Sequence, residues 1–228
     1  LTCFAIDNSD SNDADDAISI EGNRVWIHIA DVASFVEMNS KLDLFAQKRA
    51  SNLYLPDQIL HMLPPKISEV CSLGVGEISN AVSVGFLMNE FEINDIQIYL
   101  SQIRVTKMSY EEADKSLNEN ASLSKLNEVS KNHKKYRDSN GAVRLDLPKT
   151  DVKVKGHMVS MLPQIESESR EMVSEMMVLA GRAIAQYSIE NNISMPYLSQ
   201  APGKFSDEII GNIHNLSLSK AFEAAKGF

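Results

Sequence analysis

Cysteine is nearly missing from this chain. Cys3 and Cys71 make one pair at most and stand in no metal-ligand spacing, which excludes a disulfide scaffold and a thiolate zinc site; two free buried thiols in a reducing compartment are expected. No apolar run approaches the ~20 residues of a membrane span, and no signal-peptide pattern opens the sequence. The expectation is a soluble, cytoplasmic protein with no membrane partner. Basic charge is also scarce: 22 Lys and Arg face 31 Asp and Glu, a formal net charge of -9, which counts against a general nucleic-acid-binding surface. What basic charge there is gathers mid-chain, in Lys131, Lys134, Lys135 and Arg137 and again in Lys149, Lys153 and Lys155, where it reads as solvated face or phosphate contact. With 228 residues, 43% of them hydrophobic, the chain can bury a sizeable core, in one large domain or two small ones.

The deficit of basic residues is complete over residues 1–21, where Asp7, Asp10, Asp13, Asp15, Asp16 and Glu21 have no Lys or Arg among them. Repulsion of that density is relieved by protonation, by solvent or by a cation. Phe4 and Ile6 precede the run and Ile18 and Ile20 follow it, so it reads as a loop between two strands. A solvated acidic turn is one reading. A calcium loop is excluded: counted from Asp10, Ala14 falls where an oxygen ligand belongs and Asp15 where Gly is required. The remaining reading is Mg²⁺ or Mn²⁺, held by a few carboxylates that leave positions open for phosphate and water.

Farther along, residues 17–36 alternate around Gly22-Asn23 and predict a hairpin, with Val25, Ile27 and Ile29 on one face and Trp26, His28 and Ala30 on the other. His28 is then an ordinary sheet residue rather than a metal ligand. Ser40 is a candidate cap for a short helix. Pro56, Pro64 and Pro65 argue against a continuous helix and predict an extended segment packed by Leu53, Leu55, Ile59, Leu60, Met62 and Leu63. Residues 81–88 and 96–105 read as strands with Asn94-Asp95 as turn formers between them. Ser109 and Glu112 form a capping box, residues 122–137 an amphipathic helix, and residues 166–191 the longest helix. Met172, Met176, Ala180, Ala183 and Tyr187 follow the spacing of a buried stripe in that last helix, with Glu168, Glu171, Glu175 and Arg182 beside it. The fold class expected is α+β, a largely antiparallel sheet with packed α-helices.

Ile6-Asp7, five residues and then Asp13-Ala14-Asp15-Asp16-Ala17 resembles the signature of the RNB catalytic domain of the ribonuclease II and ribonuclease R family. Further blocks carry the same resemblance: residues 27–36 (IHIADVASFV), Tyr54-Leu55-Pro56 with Met62-Leu63-Pro64 and Cys71-Ser72-Leu73, residues 141–149 (GAVRLDLPK), and residues 169–177 (SREMVSEMM). It implies a Mg²⁺-dependent, processive hydrolysis of single-stranded RNA from the 3′ end to nucleoside 5′-monophosphates. The four signature aspartates match Asp7, Asp13, Asp15 and Asp16, which the resemblance makes metal ligands, with Asp15 also the residue on which the chemical step most depends, as ligand or as contact to the terminal ribose. Asp10 has no counterpart, and Asp31 is structural. Tyr54 matches a tyrosine that guides the 3′ end, although packing beside prolines explains it equally well. Tyr110 matches one that contacts the ribose, and Glu175 a glutamate that reads ribose hydroxyls. The pattern departs at Ser174, where the family usually has another Glu, and at Leu145, where ribonuclease II-type enzymes carry a base-stacking aromatic. No Arg follows Arg182, whereas the family has one that grips the scissile phosphate. The expectation for residues 1–228 is therefore a partial RNB catalytic domain, without its C-terminal part and flanking OB-fold domains. Two alternatives stand beside the nuclease: a non-catalytic RNB-like module that binds RNA or a partner, and a structural ion-binding domain.

Overall fold

Gly22 and Asn23 make the turn that the sequence predicts, and Gly22 takes the positive φ of 60° that such a turn requires. The two arms are β2 (Asp16–Glu21) and β3 (Arg24–Ala30), in antiparallel register from Asp16↔Ile29 to Glu21↔Arg24. In the computed structural model, which describes residues 2–9, 11, 13–142, 150–156, 158–163 and 167–198, this hairpin is the middle of a six-stranded sheet. On one side lie β6 (Ser79–Asn89) and β7 (Glu92–Ile103); on the other lie β1 (Cys3–Asp7) and β8 (Val105–Ser109). Every pairing in it is antiparallel except β1 with β8. Two short hairpins, β4 (Leu53–Tyr54) with β5 (Ile59–Leu60) and β9 (Thr150–Lys155) with β10 (Met158–Pro163), stand apart from it.

The alternating faces sort as expected. Val25, Ile27 and Phe86 are fully buried on the face covered by α3 (Tyr110–Ser116), α4 (Ala121–Ser139) and α5 (Glu168–Glu190), against Leu123, Leu126, Met172 and Met176. Removal of such side chains from water, about 1.5–3 kcal/mol each, is what holds the helices to the sheet. His28 lies on the opposite face, where Nε2 meets Ser19 Oγ at 2.9 Å and Nδ1 meets Ser83 Oγ at 2.6 Å. Burial pushes its pKa down to about 4, so it is a neutral sheet residue. On that face the Trp26 ring spreads over Gly85, and a Cβ there would come within 2.4 Å of it. Gly85→Ala should therefore cost about 1–3 kcal/mol by overpacking. An unchanged melting temperature would contradict this contact.

Helix caps follow the sequence. Ser40 caps α1 (Lys41–Arg49), and Ser109 and Glu112 form the complete capping box of α3; Ser167, expected inside the last helix, is instead the cap of α5. Asp31 caps a single 3₁₀ turn at Val32–Ser34, the structural role expected of it.

Three expectations need correction. The proline-rich stretch is not extended throughout: Pro65 opens a helix, α2 (Pro65–Cys71), since proline at the first helical position gives up only an amide that has no intrahelical partner. Nor is that stretch packed as expected, because Leu53, Leu55, Ile59 and Leu60 are exposed, although Leu63 is buried. The β6–β7 turn falls at Glu90-Phe91, while Asn94 and Asp95 lie inside β7, where the register shifts opposite Gly85–Leu87 and Asp95 takes a φ of 48°. Their turn chemistry is spent on a bulge. Leu145, Lys149 and the segment after residue 198 lie outside the described residues.

Candidate active site

The acidic run is the connection from β1 to β2, as predicted, and the sheet fixes both its ends. Asp7 is the last residue of β1 and Asp16 the first of β2, so antiparallel pairing returns one carboxylate to the neighbourhood of the other. Between them the backbone is pinned: Leu73 N–H donates to Ala14 O at 2.8 Å and Ala30 N–H to Asp15 O at 2.8 Å. Ala14 is buried against Leu73. The acidic side chains are thus carried by a loop whose backbone hydrogen bonds are made elsewhere in the core.

The fourth element comes from the parallel pairing. β8 lies beside β1 with Asp7↔Ser109 in register, and Ser109 caps α3, so Tyr110 enters beside Asp7. The Tyr110 hydroxyl is pushed above its ordinary pKa by burial and by Asp7, is drawn back by Arg170, and is raised further by Asp16 and Asp15. All three aspartates therefore lie within electrostatic reach of one phenol.

Asp16 records the crowding most strongly. Burial, the charge of Asp15, a hydrogen bond that protonated Asp16 gives Asp15, and the charge of Asp7 push its carboxyl up to about 7. Asp7 and Asp15 thus lie within electrostatic reach of Asp16. Asp13 is not among the groups acting on Asp16; its carboxylate accepts a 3.3 Å hydrogen bond from Ser11 Oγ.

The donors are hard oxygens carrying unrelieved negative charge, the set that suits Mg²⁺ or Mn²⁺. Yet among the described residues no group of three or more His, Cys, Asp or Glu side chains stands close enough to hold a metal ion as it is. The set is coupled through its field without being a closed coordination shell.

Of the expected RNA contacts, Tyr54 lies on the β4–β5 hairpin with 66% of its surface exposed. Tyr110 is half-buried at the acidic focus. Glu175 is elsewhere: it is 2% exposed between α4 and α5, where its oxygens meet His133 Nδ1 at 2.9 Å and Arg137 Nη1 at 2.7 Å. Burial outweighs the pull of Glu175 and lowers the His133 pKa, so Arg137 supplies the countercharge and neutral His133 a hydrogen bond. So enclosed, Glu175 does not present itself to a ribose. Its neighbour Ser174 is exposed and lies one helical turn from Arg170 on the same face of α5.

The rest of that stripe behaves alike. Glu168 pairs with Lys131 and Glu171 with Lys134, so part of the basic cluster on α4 bridges to α5 while Lys131 and Lys135 stay exposed, the solvated face expected of it. Removing one partner of a buried ion pair strands the other, and Glu175→Ala should lower stability by about 3–5 kcal/mol. A variant that melts like wild type would contradict this enclosure.

Sequence reasoning missed Arg170. Its guanidinium lies over the Tyr110 ring, 3.9 Å from the centroid, and donates through Nη2 to Asn8 Oδ1 at 2.7 Å. The signal available was its position in the SREMVSEMM block, which that reading used only for Glu175.

Comparison with known proteins shows what the chain as a whole is similar to. An RNB domain matches residues 1–225. Ribonuclease R of Chlamydia trachomatis is 31% identical over 219 residues, 89% of this chain and 31% of that protein. Mycoplasma genitalium RNase R, solved in complex with ribose-methylated single-stranded RNA, superposes with a TM-score of 0.80 at 26% identity, over 90% of this chain and 35% of that one. Yeast Ssd1, described as a pseudonuclease, shares the fold with a TM-score of 0.62 at 19% identity, over 81% of this chain and 24% of its own. The chain spans about a third of the length of the curated relatives it matches. Among the described residues no helix is long and apolar enough to cross a membrane.

Proposed function

The chain belongs to the RNB domain family, and from that premise we propose that it carries the active site of a Mg²⁺-dependent exoribonuclease, which hydrolyses single-stranded RNA from the 3′ end to nucleoside 5′-monophosphates. The observation that supports this most is the half-buried Asp16 between two other acidic groups: burial, then the charges of Asp15 and Asp7, raise its carboxyl to about 7. That charge is a standing cost to the fold, and a hard cation removes it.

In this reading Asp7, Asp13 and Asp16 hold the metal, and Asp15 acts as a further ligand or as a contact to the terminal ribose. Bound Mg²⁺ supplies an activated water and stabilises charge on the phosphate and the leaving oxygen. The chain's own work is positioning. Tyr110 meets the ribose at the acidic focus, and exposed Tyr54 offers an aromatic face that guides the 3′ end, where stacking on a base is worth about 1–3 kcal/mol. The buried β1 and β2 ends hold the carboxylates where the 3′-terminal phosphodiester must lie.

Two observations favour a second reading, a non-catalytic RNB-like module that binds RNA or a partner. No three carboxylates form a closed group among the described residues, and the same fold occurs in a pseudonuclease. Incubating 3′- and 5′-labelled RNA with the full-length protein, in Mg²⁺ or in EDTA, separates the two. The exoribonuclease releases labelled mononucleotide from the 3′ end at once and shortens 5′-labelled RNA stepwise, in Mg²⁺ only; intact RNA in both buffers would leave the binding module.

A further inference from the structure

Arg170 stands in the first turn of α5, and that turn is held firmly. Ser167 Oγ accepts from the Arg170 amide at 3.1 Å, Ser169 N–H donates to Asp114 Oδ1 at 2.8 Å, and Ser169 Oγ donates to Tyr110 O at 3.1 Å, so the start of α5 is bonded to α3 at Tyr110 itself and one turn farther on. From this base the guanidinium reaches two places. It lies 3.9 Å from the centroid of the Tyr110 ring, and its Nη2 donates to Asn8 Oδ1 at 2.7 Å; Asn8 in turn gives its amide to Asp7 Oδ1 at 2.7 Å. One rigid plane therefore joins the half-buried tyrosine to the residue that follows Asp7. Its Nε is buried and has no acceptor among the described residues. A buried donor left unpaired destabilises the fold and calls for a compensating use.

We propose that Arg170 is a positioning residue of the nuclease site: by stacking on Tyr110 and bonding Asn8 it fixes the separation between the ribose contact and the carboxylate of Asp7. Lysine cannot replace it, because the stack and the reach to Asn8 depend on a planar, delocalised cation. This rests on the exoribonuclease reading, and it predicts an effect on the chemical step rather than on RNA affinity.

The test is a double-mutant cycle on the full-length protein in Mg²⁺, reading single-turnover release of the 3′ nucleotide and, separately, the Kd for RNA. Arg170→Ala should slow release about 100-fold, the scale of a misplacement near 1 Å, with Kd changed less than about threefold. Arg170→Lys should stay within about threefold of the alanine variant. Arg170→Ala with Tyr110→Ala should be no more than about threefold slower than the worse single variant, because the two act as one unit. Multiplicative losses, full rescue by lysine, or a loss confined to Kd would overturn the proposal. If the alanine variant does not fold, the lysine variant carries the test through its rate and Kd. If wild-type protein releases no nucleotide, the exoribonuclease reading fails by itself, and the stack is judged on the Arg170 Nε–H NMR resonance. Tyr110→Leu should shift that resonance by removing the ring current, and an unmoved signal would overturn the positioning role as well.

Discussion

Asp15→Asn should reduce nucleotide release on the order of 1,000-fold, about 4 kcal/mol of barrier, while leaving single-stranded RNA binding nearly intact. The asymmetry follows from charge. Asp15 is exposed, and protonated Asp16 hydrogen-bonds to it. Asparagine there keeps the shape, loses one hard anionic donor, and weakens the repulsion that an incoming phosphate meets, so RNA has no reason to leave. A filter-binding isotherm beside a single-turnover time course distinguishes the outcomes. Parallel loss of binding and release would mean that Asp15 serves the grip rather than the reaction.

The metal should also appear as stability, with a pH dependence whose sign is fixed. The Asp16 carboxyl has an ordinary pKa of 3.8 and is raised to about 7 in the fold by burial and by the charges of Asp15 and Asp7. Between those values the folded protein binds more protons than the unfolded chain. The stability contributed by protonated Asp16 is fully present below pH ~4 and is lost as pH rises through ~7. A cation takes the place of that proton. At pH 8, Mg²⁺ at a hundredfold excess over its dissociation constant should add about 2.7 kcal/mol, a rise in melting temperature of about 5–10 °C for a domain of this size. Each unit of pH below 7 should weaken apparent Mg²⁺ affinity about tenfold, because a proton must be displaced. Near pH 5 the shift should be largely gone. Equal Mg²⁺ stabilisation at pH 5 and pH 8 would place the ion away from Asp16.

Local chemistry in the sequence was enough for the Gly22-Asn23 hairpin, the Ser40 and Ser109 caps, the alternating faces of β3 and the methionine stripe of α5, since each depends on neighbours a few residues away. The acidic connection was legible for the same reason. What escaped depends on distant pairing. Nothing around residue 105 announces that β8 will lie parallel to β1, yet that pairing delivers Tyr110 to Asp7. Glu175 matched a family pattern in sequence, but helix phase turns it toward α4, where His133 and Arg137 wait. Arg170 drew no reading of its own in the sequence, because its partners Tyr110 and Asn8 lie 60 and 162 residues away. Asn94 and Asp95 carried turn chemistry that the chain uses at a bulge, and Pro65, a breaker within a helix, serves as a helix start.

The central claim is that these carboxylates gather a divalent ion, and Mn²⁺ tests it most directly, because the free ion gives an electron paramagnetic resonance signal that broadens on binding. Titrated with Mn²⁺ at pH 8, the wild-type protein should quench that signal saturably, and Asp7→Asn with Asp16→Asn should abolish the quenching while Tyr110→Phe leaves it intact. Equal quenching by the wild-type and the doubly substituted protein would contradict the account.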